Sequence, residues 1–456
     1  MQDTKSILKE QSFKVAKSIN IFFTEFDINK ILYKSKISKV RGVPVKDVLI
    51  SIMQLPFIQK NFYQGIVNNN DIGFNKTVAY DLLKNNKYNW RLFLLKVTSA
   101  IINSFLKPLT SEAREDVLIL DDSSYPRNRS KKTELLARVY DHVKMAYFKG
   151  YRLLQLGWSD GNSFAPVDFA LLSSTKKKNR FQEACTNIDK RSCGFKRRKE
   201  AVSKSTDLIV PMIKRALSHG IKAKYLLMDS WFGFPSIIAE VKKHIDVICM
   251  VKSTPKIFYF HNGETLTLKR IYKGFRKKRG MANIKGSQIV KIKKDDKFID
   301  VKLVFVRNRN KQRSWLAILS TDITLSDEDV VRIYGKRWDI EVFFKTAKHS
   351  LNMCNEVELR SFDGMIAHIT IVLLRHLFLS VEQRKSDDSK TYGGIFLELI
   401  EEMKDLAVVD ALIRILSLTF TKLKDIAYLT NDFLTKLVDV FMESVMEKYG
   451  LEINIM

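Results

Sequence analysis

Cysteine is scarce in this chain. Its four cysteines, Cys185, Cys193, Cys249 and Cys354, form no C-x-x-C pair and match no zinc-ligand spacing. Buried or incidental thiols in a reducing compartment are the expectation. Long apolar runs are missing as well, none approaching the roughly 18–20 residues that a membrane span requires. The opening segment MQDTKSILKEQSFKVAK is charged throughout, so no secretory leader is expected. Repeats and low-complexity tracts are absent. These absences together predict a soluble, cytoplasmic protein with no membrane partner.

Acidic side chains are also in short supply. Against 78 Lys and Arg stand only 50 Asp and Glu, a net charge of +28 and a pI near 9.7. Such an excess points to a polyanionic partner, either nucleic acid or an anionic membrane surface. The basic residues run along the whole chain, clustered at 176–180, 190–199 and 269–279, and form no single tail. That distribution favours a broad binding surface over a localisation tag. With 45% hydrophobic and 11% aromatic residues over 456 positions, the chain has enough apolar material for two or three domains and is not disordered.

Residues 1–112 read as helical, and two segments, VPVKDVLISIMQLPF and NKTVAYDLLKNNKYNWRLFLLKVTSAI, each open on a turn or cap candidate. Paired short helices of this kind suit a helix-turn-helix DNA reader or an ordinary bundle. The character changes at REDVLILDDSS, where Val117 to Leu120 reads as a buried strand opening at Asp121. Two or three strands follow in MAYFKGYRLLQLGWSDGNSFAPVDFALLSS, then a helix over KEAVSKSTDLIVPMIKRALSHG closed by Gly220. Tyr225 to Met228 is a second buried strand ending on Asp229, with a helix and the strand IDVICMVKS behind it. Residues 256–313 alternate without helical period and read as an inserted β-rich region, and SWLAILSTD returns as a strand. Helical pattern resumes after Leu325, with Ser326 as cap, and again beyond about residue 390.

Two strand-end aspartates, Asp121 and Asp229, fall at the edge where α/β sheets bind ligands. In YGKRWDIEVFFKTAKHSL, Tyr334, Arg337, Glu341 and Lys348 share a helical stripe roughly 60° wide, at about 100° per residue. Ile333, Ile340 and Phe344 lie just beside it. Read singly, Arg337 and Glu341 are an i, i+4 salt bridge, an aspartate after a strand is a turn or cap residue, and Lys348 is a solvated lysine. Read together, Asp121, Asp229 and Glu341 form a three-carboxylate set without histidine or cysteine. That set suits Mg²⁺ or Mn²⁺ in a two-ion phosphodiester site, with Arg337 and Lys348 supplying the cations that let a phosphate approach. Asp122 is an alternative to Asp121, since only one of two neighbours on a strand faces a given side. Trp231 and Phe232 read as packing residues, and Asp141, Asp160 and Asp168 as turn or surface residues.

The spacing Y-x-x-R-x-x-x-E-x-x-x-x-x-x-K, matched by Tyr334, Arg337, Glu341 and Lys348, resembles the signature of bacterial insertion-sequence transposases of the DDE type (the insertion-sequence-4 kind). LILDDSS and YLLMDSWFG resemble the two aspartate motifs of that family, and the likeness extends over roughly residues 75–385. The resemblance implies an α/β fold, with an RNase H-like catalytic core at 113–255 and 314–385 interrupted by a β-rich insertion at 256–313. A helical DNA-binding region at 1–112 and a helical C-terminal region at 386–456, pairing two protomers in a synaptic complex, would flank it. It implies Asp121, Asp229 and Glu341 as metal ligands and Tyr334, Arg337 and Lys348 as contacts to the terminal phosphates of the element. Trp315 resembles in position a tryptophan that stacks on a flipped base in relatives forming a DNA hairpin; core packing is its other reading. Lys190, Arg191, Arg197, Arg198, Arg276 and Lys277, in the basic clusters, are candidate contacts to the DNA backbone. The activity implied is metal-dependent cleavage of double-stranded DNA at terminal inverted repeats and strand transfer into target DNA. A nuclease of the same core without strand transfer, and a DNA-binding protein that has lost catalysis, are the alternatives.

Overall fold

Two short apolar strands lie side by side and set the frame of the molecule. The computed structural model describes residues 3–385 apart from 70–71, 111–113, 142–143, 276–282 and 309–313. The C-terminal region expected at 386–456, and with it the pairing of protomers, lies outside the described residues, as do Arg276 and Lys277.

The chain opens with α1 (Asp3–Glu25), α2 (Ile28–Lys34), α3 (Val45–Met53), α4 (Lys76–Lys84) and α5 (Trp90–Ile101). Asn75 and Asn89 cap α4 and α5, their side chains accepting from the amides of Thr77 and Leu92. A meander follows: β1 (Val117–Pro126), β2 (Ala137–Asp141), β3 (Ala146–Ser159) and β4 (Phe164–Leu172). Then come α6 (Cys193–Ala201), α7 (Ser205–Ser218), β5 (Tyr225–Met228), α8 (Pro235–Lys242) and β6 (Asp246–Val251). The expected single helix before Gly220 is thus two, α6 and α7. Gly220, at φ +77°, takes the left-handed position that closes α7.

The region read as a β insertion holds β7 (Phe258–His261), β8 (Glu264–Thr267), a short helix α9 (Leu268–Gly274), β9 (Ile284–Lys294) and β10 (Lys297–Arg307). The helix was not legible in the alternation around it. After β11 (Trp315–Ser320) come α10 (Asp327–Gly335), α11 (Trp338–His349) and α12 (Phe362–Lys385).

All these strands join one sheet in the order β2-β3-β1-β5-β6-β11-β10-β9-β7-β8, with β4 beside β2 on the outer edge of β3. β1, β3 and β4 are antiparallel, whereas β5 and β6 run parallel to β1. This mixed sheet with its helices is the α/β, RNase H-like arrangement expected. β1 up to Leu120 and all of β5 are buried on both faces, which is why they read as unbroken apolar runs. The insertion strands are not set apart from this sheet: β11 pairs with β6 on one side and β10 on the other.

α12 is the largest departure from the sequence reading. By length and composition it is apolar enough to cross a membrane, as is the helical stretch Trp90–Leu109, contrary to the expectation that no such run exists. The apolar body of α12 lies inside the protein, packed by α3, α4, α5, α11 and β4. Two of its charged residues are paired there: Arg375 with Glu356, and Asp363 with Arg198.

Candidate active site

The register of β1 with β5 builds the site. Leu120 lies opposite Met228 in the parallel pair, so the next residues outward, Asp121 and Asp229, are neighbours at the carboxyl end of β5. β1 does not stop at Leu120 as the sequence suggested, but runs on to Pro126 against β3. Asp121 is therefore held in extended backbone on one side, while Asp229 opens a turn and its carboxylate accepts the amide of Ser230 at 2.5 Å.

Asp121 and Asp122 point apart, as strand alternation requires. Asp122 receives Arg152 of β3 at 2.6 Å. Asp121 faces Arg337, whose Nη1 donates to it at 3.3 Å, while the Nη2 of Arg337 donates to Glu341 at 2.5 Å. The salt bridge and the site readings of Arg337 and Glu341 thus coincide: one guanidinium ties Glu341 to Asp121. Burial, aided by the nearby charges of Asp122 and Asp229, pushes the Asp121 carboxyl up to about 7, and the Asp122 amide and Arg337 only partly oppose this.

The helix expected over 334–351 is broken. α10 ends at Gly335, a poor helix former, and α11 starts at Trp338. Between them the amides of Lys336, Arg337 and Asp339 bond carbonyls three residues back, at 3.0–3.1 Å. Arg337 lies against both Tyr334 and Glu341, while Lys348 reaches β1. The Arg337 guanidinium lies 5.8 Å from the Tyr334 ring centre, and the buried Tyr334 hydroxyl meets no well-formed hydrogen bond among the described residues. Lys348, half-buried rather than solvated, donates to Ser123 at 2.7 Å and to Ser124 at 3.4 Å. Burial pushes its ammonium pKa down. Ile333, Ile340 and Phe344 are buried beside the stripe and pin both helices to the sheet.

Other candidates fare differently. β11 runs antiparallel to β6, so Trp315 at its start shares the sheet edge of Asp229. Its half-buried ring stacks on Tyr272, with 4.4 Å between centres. Arg197 and Arg198 are corrected from DNA contacts to interior residues. Arg197 donates to the Phe169 carbonyl at 2.7 Å, and Arg198 holds Glu134 and Asp363 at 2.5–2.8 Å. Lys190 and Arg191 are exposed. Asp160 and Asp168, read as turn or surface residues, are fully buried, Asp168 between Arg91 and Arg215. Trp231, read as packing, is exposed with Lys252 over its ring at 4.2 Å. Sequence reasoning missed Ser123, Ser124 and Arg152; the hydroxyl pair after two aspartates was the available signal.

The donor set of Asp121, Asp229 and Glu341 is oxygen alone, which suits a hard divalent cation. The Asp121 pKa is raised chiefly by its burial, with the neighbouring charges of Asp122 and Asp229 adding to it. Among the described residues no three such side chains stand close enough to hold one ion as they are; Arg337 sits between Asp121 and Glu341.

Two aspartates at the carboxyl edge of a mixed α/β sheet, with Glu341 tied to Asp121 through Arg337, make up the candidate site. Comparison with known families narrows the class. Residues 64–274 match the family described as "DDE superfamily endonuclease", and residues 195–384 match "Archaeal putative transposase ISC1217". The first match contains Asp121 and Asp229, and the second contains Asp229 and Glu341. No curated protein matches the chain. The two likenesses support a transposase-type nuclease.

Proposed function

We propose that this chain is a DDE-type transposase of the insertion-sequence-4 kind, cutting DNA at the ends of a mobile element and transferring the freed 3′-hydroxyl to target DNA. The observation that carries the reading is the β1–β5 register, which sets Asp121 beside Asp229 while Arg337 ties Glu341 to the same carboxylate. The two family likenesses and the net charge of +28 support it. Asp121, Asp229 and Glu341 would hold Mg²⁺ or Mn²⁺, two ions on this reading. When bound, divalent ions activate the attacking oxygen and offset charge at the phosphate.

The chain's own residues then have separable tasks. A DNA phosphate competes with Asp121 and Glu341 for the Arg337 guanidinium, and its arrival frees both carboxylates for metal. Tyr334 has a hydroxyl to give to a phosphate oxygen. Lys348, steadied by Ser123 and Ser124, adds positive charge along the same stripe. The helices of 1–112 would read the terminal inverted repeats, and residues 386–456 would join two protomers so that two ends meet two sites, in the cytoplasm.

The test is a cleavage and strand-transfer assay on element-end DNA with Mg²⁺, comparing the parent with Asp229→Ala and Glu341→Gln. Cleavage by the parent and loss of at least a hundredfold in both variants is the expected result. Equal cutting by all three would sink the three-carboxylate site. A nuclease without strand transfer is favoured by the description of the first family match, and cleavage with no joined product would establish it.

A further inference from the structure

The outer end of the sheet exposes a face that ordinary core packing does not explain. On β9, Val290 and Ile292 are buried, so Ile289, Lys291 and Lys293 point the other way. On β10 the outward set includes Phe298 and Asp300, paired in register with Lys293 and Lys291. On β7, Tyr259 is buried while Phe258 and Phe260 face outward, with Phe260 opposite Lys291. Phe258 is 48% exposed, Phe298 51% and Ile289 47%. Phe260 and Phe298 lean together over β9 with ring centres 4.9 Å apart, and Lys293 lies 5.9 Å from the Phe298 ring. The inner face, by contrast, is covered by α8 and α10.

We propose that this face binds an unpaired DNA strand, its bases stacking on Phe258, Phe260 and Phe298 and its phosphates meeting Lys291 and Lys293. Flat aromatic rings on an open sheet pack against bases only when those bases are unstacked, which excludes an intact duplex. The lysines alternate with the rings across strands, so charge and stacking surface repeat together along the path of a strand. Lys291 lies 4.0 Å from Asp300 and Lys293 2.8 Å from Asp296. Those pairs are exposed and worth little in water, so a phosphate displaces them readily. The inference rests on DNA as the substrate: strands separated near a cut end would be its ligand. It adds to the reaction centre a surface that holds one strand away from the other.

The experiment measures fluorescence anisotropy of a labelled 20-nucleotide thymidine strand with the full chain, in 50–200 mM salt, alongside cleavage of element-end duplex. Phe258→Ala/Phe298→Ala should weaken single-strand binding roughly tenfold or more. Lys291→Gln/Lys293→Gln should lower the salt slope by about 1.4, at about 0.7 per phosphate. Both variants should keep the parent's thermal midpoint. Unchanged single-strand affinity in the phenylalanine variant overturns the proposal. So does a shift from dimer to monomer on sedimentation without loss of strand binding, which would make the face a self-association surface. A parent that cuts duplex but binds no single strand refutes this inference and leaves the nuclease reading standing. A parent that binds the strand through these residues but never cuts does the reverse.

Discussion

Arg337 is the residue on which the site turns. It opposes the crowding of Asp121 and Glu341, and on our reading it hands over to phosphate. Arg337→Ala should lower single-turnover cleavage about 10²–10³-fold, the range for losing one donor to developing charge. Arg337→Lys should recover only part, since an ammonium cannot bridge two carboxylates as a planar fork does. Asp121 carries a second prediction, on stability. Its folded carboxyl titrates at about 7, well above the usual carboxylate range, so the folded state binds the proton more tightly than the unfolded chain. Stability from this group is present at low pH and lost as pH rises through 7. Without divalent metal, Asp121→Asn should therefore raise the thermal midpoint at pH 8, and the gain should shrink toward pH 4. A gain independent of pH would refute the assignment.

At the scale of elements, α12 behaves as a polar-studded core helix. Arg375 and Glu356 form a fully buried pair, and Arg375 also donates to the carbonyls of Met53 and Leu351. Glu356→Ala strands a buried guanidinium and should cost about 3–5 kcal/mol, read from the urea midpoint. His376, also on α12, is pushed down to about 3 by burial. An imidazole whose folded pKa lies below its unfolded value favours folding above about 6.5 and ceases to as pH falls. The urea midpoint should therefore drop from pH 6.5 to 4, and less steeply in His376→Gln. An equal slope in the variant would show that other groups set the acid limb.

For the whole molecule, the excess of basic charge is the dominant long-range property. Affinity for duplex DNA should fall steeply with salt, by about 10³–10⁵ between 50 and 200 mM if six to ten phosphates are neutralised. A flat salt profile would place the partner elsewhere. Much of this frame was legible in the sequence, and particular residues show why. Apolar runs such as Tyr225–Met228 announce strands buried on both faces, and Ser326 and Gly220 mark helix ends through local chemistry. The closeness of Tyr334, Arg337 and Glu341 matches the helical period and survives the break at Gly335 because the backbone keeps turning the same way. What escaped was set by partners distant in the chain. Arg197 and Arg198 look like surface charge until Phe169, Glu134 and Asp363 close around them. The outward face of β7, β9 and β10 depends on which side α8 and α10 cover, and no local pattern states that.

The position of α12 has a consequence for how the protein comes into being. Three early helices, α3, α4 and α5, pack on a helix that begins at Phe362, far later in the chain, and β11 must slot between β6 and β10 before the sheet closes. During synthesis the early helices have no α12 to pack against until Phe362–Lys385 emerges, and long-range pairing of this kind folds slowly. Glu341 itself leaves the ribosome after both aspartates. On the proposed reading, a chain that ends before α11 lacks Glu341 and so the third carboxylate, and cleavage would require synthesis past that helix.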